Sequence, residues 1–578
     1  MPKLYSTRAA LALALMAVCL GGEHPTWSQE VTAAITGSVV DPTGAMIIGA
    51  NVAAKDTERG TVYTVETNGA GVFNLLRMPV GRYDLKVGAP GFQTALYRSI
   101  TLVLNQTARV DFQLKIGQAT ETVEVTSAVP LLHTDTTQLS TVIDARANIN
   151  LPLLSRNYVQ LTLLAPGSVH PDPQTLISGD GPFGAGRPYI NGNREQANTF
   201  LLDGMDNNQV SDNLVAFTPS VDAIQEFSLI TQNASAEFGN FQGGIVSTSI
   251  KSGTNRYHGN VFEFFRNDVL NANNWANNFR GFPKPALRWN MFGATFGGPI
   301  VKNKLFLFVD YQGQRFDHPS TSSPLTLITA AERQGDFSQL LTEQGIQLYN
   351  PFQLDTNGNR MPFPNNHIPL NMIDAVSGNL FSSGIYPLPL NGNLVNNFVN
   401  TTRSYNNVDQ GDVRIDYKIT PNDRLYGRIS ESYQDNPVIN SFRLLFDSFN
   451  QERLENGVIN WTHNFGPNVL SETGVGANYV SLNRGAVDSG FGNLGEKLGI
   501  ANANDHGPGL LEINIFDAAY GTFGSRNVGT AELFADTVFQ FKDAFVITTA
   551  AMCSTLGSNI GGSASTPMKQ VRTAGPGL

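Results

Sequence analysis

Cysteine is nearly missing from this chain: Cys19 and Cys553 are the two present among 578 residues. Cys19 falls in an apolar leader, so export leaves Cys553 alone and excludes an intrachain disulfide; stability must come from backbone ladders and burial. Charge is scarce too, at 15% of residues, against ~25% in ordinary soluble domains. The formal net charge is −10 without a Lys/Arg-rich run, which excludes a nucleic-acid footprint. After the leader no apolar run approaches the ~18 residues of a membrane-crossing helix. Zinc chemistry needs clustered ligands; the eight histidines are scattered and form no HxxE or HExxH. No cofactor or metal is expected, and no catalytic residue.

Glycine (56 residues) and aromatics (10%) are what the chain has in plenty. The length calls for several domains, since single cores rarely exceed ~250–300 residues. Lys3 and Arg8 precede the apolar run Ala9–Leu20, with small Thr26 and Ser28 beyond it. Residues 1–28 therefore read as a secretory signal peptide. Lipid attachment at Cys19 is the rival reading, and Met16-Ala17-Val18 is a poor context for it.

Residues 29–118 read as a β-sandwich of seven short strands: 35–41, 49–56, 61–67, 72–78, 82–89, 99–105 and 108–116, with turn residues between them. Val39, Val52, Phe73, Leu75, Tyr83, Leu85, Val87, Leu102, Leu104, Val110 and Phe112 are the inward candidates. Residues 129–250 read as a smaller α+β unit. Ala145–Leu164 has helical spacing broken at Pro152, and Ser220–Phe227 reads as a short helix capped by Ser220. Arg194, Asp203, Asp206, Glu226 and Glu237 are its charged candidates for meeting a surrounding wall. A catalytic carboxylate pair among them is the weaker reading, since no His or metal cluster stands beside them.

From residue 251 the pattern becomes aromatic and two-faced. YHGNVFEFFRN (257–267) and NKLFLFVDYQG (303–313) are strands, and two aromatic strand candidates flank Gly297-Gly298-Pro299. Val413, Ile415, Tyr417 and Ile419 alternate with Arg414, Asp416 and Lys418; Ile459, Trp461 and Phe465 oppose Asn460, Thr462 and Asn464. Period-two alternation with low charge predicts a transmembrane β-barrel, apolar to lipid and polar to lumen. A soluble half-exposed sheet alternates as well and stays the alternative. Eight to ten strands are expected between 254 and 545. A long irregular segment, about 317–408, is expected as an extracellular loop. Asp355–Asn359 has letters of a calcium loop, but Arg360 and Asn366 stand where Gly and Glu are needed, so it reads as a turn.

The words NGNREQANTFLLDGMDNN (191–208), PSVDAIQEF (219–227), SAEFG (235–239), Gly243-Gly244, KSGTNRYHG (251–259), FEFFRND (262–268) and FGATFGGPI (292–300) come in this order. Together they resemble TonB-dependent outer-membrane receptors, specifically the Oar-like group. The sandwich, through Gly37, Asp41, Gly44, Gly49, Gly71, Phe73, Gly81, Tyr83 and Gly91-Phe92, resembles the prealbumin-type carboxypeptidase-regulatory-like domain, which implies no peptidase. The resemblance implies a plug domain over 129–250, with Asn191, Gly192, Arg194, Asp203, Gly204, Asp206, Glu226, Glu237, Gly243 and Gly244 as its motif residues. It also implies a barrel of about 22 strands, over 251–545 here. Glu121, Thr122, Val123, Glu124, Val125 and Thr126, within the linker 119–128, would be the TonB box. There a TonB-type energy-coupling protein of the periplasm adds itself as a strand. The alternative is that 121–126 is the last strand of the sandwich or the first of the plug.

The expected setting is the Gram-negative outer membrane and its lipid. The expected role is import of a large or scarce ligand: carbohydrate, peptide or chelate. The rival is a secreted or surface-exposed adhesion or carbohydrate-binding protein. After Phe545 the alternation stops, and 546–578 reads as an atypical tail without the usual terminal aromatic strand. The expectation is a truncated or frame-shifted version with an incomplete barrel.

Overall fold

The structure is a computed structural model. It describes residues 32–118, 122–125, 137–153, 155–170, 187–210, 213–235, 238–239, 242–281, 283–321, 324–466, 469–486, 491–505, 507–514, 522–524, 530–548 and 553–572. The leader, Glu121, Thr126 and Glu237 lie outside the described residues.

The N-terminal unit is a two-sheet sandwich. One sheet holds β1 (Ala33–Val40), β4 (Val72–Met78), β7 (Thr107–Arg109) and β8 (Phe112–Gln113). The other runs β3 (Val62–Glu66), β2 (Asn51–Asp56), β5 (Gly81–Gly88), β6 (Thr94–Leu102), β9 (Thr122–Val125). All eleven inward candidates are buried. Period two puts every second side chain on one face, so alternation alone located this core. Gly37 sits where a Cβ would meet the Val110 carbonyl oxygen at 1.9 Å, which admits no other residue without a backbone shift.

The second unit is a five-stranded mixed sheet ordered β10 (Leu139–Asp144), β13 (Ile224–Gln232), β14 (Ile245–Ile250), β11 (Thr199–Leu202), β12 (Met205–Asp206). Helix α1 (Ala145–Asn150) is capped by Asp144, and a 3-10 helix covers Tyr158–Leu164. Pro152 separates them as the spacing implied, because proline cannot continue a helix without losing a hydrogen bond. The expected helix at Ser220–Phe227 is absent. Ser220 caps only a turn, its Oγ accepting from the Asp222 N–H at 3.3 Å, and the chain is extended from Ile224. The cause is tertiary: β13 has a ladder on both sides, to β10 and β14, and burial of Ile224, Phe227, Leu229 and Ile230 outweighs a weak local helix signal.

Beyond residue 257 nine long strands form one antiparallel meander. They are β15 (His258–Asn267), β16 (Arg288–Val301), β17 (Leu305–Asp317), β18 (Thr401–Lys418), β19 (Asp423–Asp435), β20 (Ser448–Gly466), β21 (Val469–Ala486), β22 (Thr530–Thr548) and β23 (Cys553–Arg572). Among the described residues β15 and β23 do not pair with each other, so the sheet is open. The break expected at Gly297-Gly298-Pro299 is not there: β16 runs through it and turns at Lys302–Lys304, where Asn303 has φ 60°. Pro299 is tolerated because β15 ends its pairing at Gly297, so the missing N–H interrupts no ladder on that side. The tail is a further correction. Cys553–Arg572 pairs along β22, since a ladder is made by backbone groups and needs no side-chain alternation.

Side-chain orientation settles what kind of sheet this is. Along β19, Arg428, Ser430, Ser432 and Gln434 are buried while Ile429 is 69% exposed. Ile459 is 61% exposed beside buried Asn460, and Val475 is 55% exposed near buried Glu472 and Asn478. Exposed apolar residues thus alternate with buried polar ones, the reverse of a soluble sheet and the pattern of a membrane barrel. Phe308, Leu454 and Val480 are inward apolar exceptions that pack on the second unit. Short turns (302–304, 419–422) lie at one end. Long connections (268–287, 318–400, 436–447) lie at the other, the side that barrels turn outward.

The expected irregular segment also differs. It ends at 400, not 408, and is folded: helices Ser338–Gln344 and Ala375–Ser382, a hairpin Tyr349–Leu354/Arg360–Pro362, and an aromatic cluster of Tyr386, Phe398, Phe442 and Phe523 shared with neighbouring loops. Asp355 is a turn residue, its Oδ1 accepting from the N–H groups of Asn357 and Asn359 at 2.8 Å each.

The outward face generates a direct expectation. Ile459→Arg costs about 2–4 kcal/mol if that position meets the bilayer midplane and lowers the amount recovered in the outer-membrane fraction. Ser432→Thr, on the inner face, leaves recovery unchanged.

Candidate functional site

The candidate site is the seam where the second unit meets the inner face of the sheet. Its centre is the turn Asp203-Gly204 joining β11 to β12. Both residues take positive φ (48° and 78°), the geometry of a two-residue hairpin turn, for which Asp-Gly is a favoured pair. The turn carries the buried Asp203 carboxylate into the wall. Its Oδ2 accepts from Arg428 Nε at 2.6 Å, and Oδ1 accepts from Arg414 Nη1 at 3.2 Å and the Ile250 N–H at 3.1 Å. Tyr426 donates its hydroxyl to the Asp203 carbonyl at 3.0 Å. Arg428 in turn donates to Asn456 at 2.5 Å and to Ser430, which donates to Asp412. Arg414 is also paired with Asp416 at 3.0 Å.

Asp206 lies on the next strand. Its main chain is read by the wall: its N–H donates to Gln540 Oε1 at 2.8 Å, while Gln540 and Asn478 donate to its carbonyl. Burial pushes its carboxyl up to about 6. Met205 lies over Gly474 and Gly476, where added Cβ atoms would come within 2.8 and 2.9 Å of it. Gln209 donates to Asp536 at 2.7 Å, and Ser220 to Gln312 at 3.0 Å. A second ionic contact is Arg156 on Asp222, both buried. Asp222 also accepts from Asn260 at 2.8 Å, and the Arg156 guanidinium lies 4.0 Å from the Phe264 ring centre.

The other expected site residues divide. Asn191 and Gly192 form a positive-φ turn (52° and 78°), Asn191 donating to the Thr231 carbonyl at 2.7 Å. Gly243 and Gly244 are packing glycines: added Cβ atoms would meet Asn198 Oδ1 at 2.4 Å and Ile190 Cδ1 at 2.3 Å. Two expectations fail in place. Arg194 is exposed at the start of a 3-10 turn, without a wall partner among the described residues. Glu226 faces the sandwich instead of the wall: its position on β13 opposite Asp144 turns it to the other side, where the Leu104 N–H reaches its carboxyl. Burial pushes that carboxyl up to about 8, with the Asp144 charge adding to the effect.

Thr122–Val125 lies as an edge strand parallel to Thr94–Tyr97, with Glu124 paired to Arg98 at 2.7 Å on the surface. Sequence reasoning did not single out Arg156, Arg428, Glu472 or Lys542. The available signal was their rarity, since a charged residue on the polar face of a strand in so lightly charged a chain needs a partner.

Among the described residues no group of three His, Cys, Asp or Glu could hold a metal, and no helix is long and apolar enough to cross a membrane. The geometry is a set of polar contacts between a small domain and the inner face of the sheet, with an apolar contact of Leu202, Phe217 and Ile250 on Phe308, Leu454 and Val480 beside them. Residues 249–553 match the family model described as outer membrane beta barrel domain. The chain belongs to that family.

Residues 34–115 match the carboxypeptidase regulatory-like domain, which agrees with the sandwich. Over 276 residues the chain is 26% identical to the TonB-dependent transporter Oar of Myxococcus xanthus, covering 45% of this chain and 25% of Oar. It is also similar to the outer membrane transporter YddB of Escherichia coli, at 11% identity and TM-score 0.47, over 74% of this chain and 48% of YddB. The siderophore receptor PirA of Pseudomonas aeruginosa is similar at 12% identity and TM-score 0.31, over 74% of this chain and 56% of PirA. The chain thus spans about a quarter of the length of the curated relative it matches.

Two outcomes test the seam. Asp203→Ala leaves Arg428 buried without its nearest counter-charge, a loss of about 3–5 kcal/mol. It shows as faster proteolysis of residues 129–250 in membranes. Glu226 holds its proton in the fold between its ordinary 4.5 and about 8, where the unfolded chain has lost it. The native state therefore binds more protons in that window, and stability falls as pH rises through it. The urea midpoint should be higher at pH 5 than at pH 8, and Glu226→Gln should reduce the difference.

Proposed function

We propose that this protein acts as a TonB-dependent outer-membrane transporter. It takes a large or scarce ligand at the outer loops and the plug apex and admits it through the barrel when a periplasmic TonB-type partner pulls. The observation that carries the reading is the Asp203 turn held by Arg414 and Arg428 of the wall. The ionic and hydrogen-bonded contacts of this seam can be exchanged for water one at a time. The apolar contact beside them, Leu202, Phe217 and Ile250 against Phe308, Leu454 and Val480, is what movement of the plug has to expose. The outer membrane lacks ATP and a strong ion gradient, so work has to arrive through a protein contact.

The contact is proposed at 121–126. An edge strand has one row of backbone N–H and C=O groups open to strand addition, and Thr122–Val125 ends the sandwich sheet next to β6. The chemistry of the ligand, whether carbohydrate, peptide or chelate, belongs to the outer loops. The adhesion reading fits less well, because a secreted sheet would not turn Ile429 and Ile459 to solvent and bury Arg428.

Deleting 121–126 is expected to abolish uptake while surface binding of the same ligand is retained. Uptake unchanged by the deletion would contradict the assignment.

A further inference from the structure

The sandwich is not tethered loosely below the barrel; it is seated on it. Arg77, buried and with φ 52°, donates from Nη1 to Glu472 Oε2 at 2.6 Å. Glu472 also takes Lys542 Nζ at 2.9 Å and Asn460 Nδ2 at 2.8 Å, so one carboxylate of the wall joins two barrel residues to one sandwich residue. Tyr63 accepts from Arg424 Nη1 at 2.7 Å, with that guanidinium 4.7 Å from its ring centre. The Glu58 carbonyl takes the Asn255 N–H at 3.0 Å, and Asn255 is bonded to Asn303 at the tip of the Lys302–Lys304 turn.

All these barrel partners sit at the short-turn end: Glu472 near the start of β21, Lys542 near the end of β22, Arg424 just after the 419–422 turn. The same sandwich touches the plug, where the Leu104 N–H reaches Glu226. It therefore contacts both the wall and the plug on the side from which the plug would leave.

We propose that the sandwich is a retaining cap, latched across the short-turn mouth by Arg77 on Glu472 and by Tyr63 beneath Arg424, which must lift before the plug can move. The candidate pulling segment, Thr122–Val125, is a strand of this same domain, so tension there would load the cap first. That last link rests on the transport reading; the latch itself does not.

The test uses the full chain in isolated outer membranes, with a benzophenone amino acid in place of Tyr63 and light as the trigger. Cross-links are expected to residues around Arg424. Their yield should fall roughly tenfold or more in Glu472→Gln, which leaves Arg77 and Lys542 buried without their counter-charge, and less in Arg77→Ala, where Lys542 still pairs with Glu472. Glu472→Gln alters the wall alone, so its effect cannot come from misfolding of the sandwich. In both variants, protease added from the periplasmic side should cleave residues 129–250 several-fold faster. No cross-link to the barrel would overturn the latch. Cross-links lost without faster cleavage of the plug would overturn the cap. Neither readout depends on uptake, so failure here is distinct from failure of the 121–126 deletion.

Discussion

One carboxylate on a two-residue turn organises the centre of this molecule. Asp203 has two guanidinium partners from neighbouring wall strands, and its placement depends on a backbone geometry that Asp-Gly supplies readily. Buried charges are costly unless paired and hydrogen-bonded. Arg428 therefore recruits Ser430, Asn456 and Asp412 around it, and Arg414 recruits Asp416. The result is a polar network that fixes the register of plug against wall. Such a network contributes specificity more than stability, and beside it Leu202, Phe217 and Ile250 pack against Phe308, Leu454 and Val480 as the apolar part of the same seam.

The second constraint is the medium. In hydrocarbon every backbone polar group needs a partner, so strands must ladder continuously and turn apolar side chains outward. That requirement explains Ile429, Ile459 and Val475 on one face with Arg428, Asn460 and Glu472 on the other. Outside the membrane the rule relaxes, and the long connections build an ordinary buried core from Tyr386, Phe398, Phe442 and Phe523. At the opposite end a separate sandwich with its own apolar core covers the turns. Three environments thus account for three packing styles in one chain.

Much of this was legible from residue order. The sandwich core could be read from period-two alternation, and the wall strands from aromatic alternation in a lightly charged chain. Asp203 and Asp206 stood out as carboxylates on a Gly-punctuated turn. Local pattern misled where long-range pairing decided the matter. Ser220–Phe227 looked helical, yet two neighbouring strands hold it extended. Gly297-Gly298-Pro299 looked like a break, yet β16 runs through it, because β15 pairs no farther than Gly297 and the proline interrupts no ladder on that side. Cys553–Arg572 lacked alternation, yet its backbone pairs along β22. Glu226 was recognisable as a charged plug residue, but which side it faces follows from the sheet register. The two guanidinium partners of Asp203 lie 211 and 225 positions away, and no local spacing encodes that pairing.

The account stands or falls on which face of the sheet meets lipid. Spin labels placed singly along 425–435 in membranes, read for collision with oxygen and with a water-soluble nickel chelate, measure this directly. The account predicts a period of two, with oxygen favoured at 429, 431 and 433 and both reagents excluded at 428, 430 and 432, where the side chains face the plug. Nickel chelate reaching 429 and 433 as freely as an open surface would contradict it.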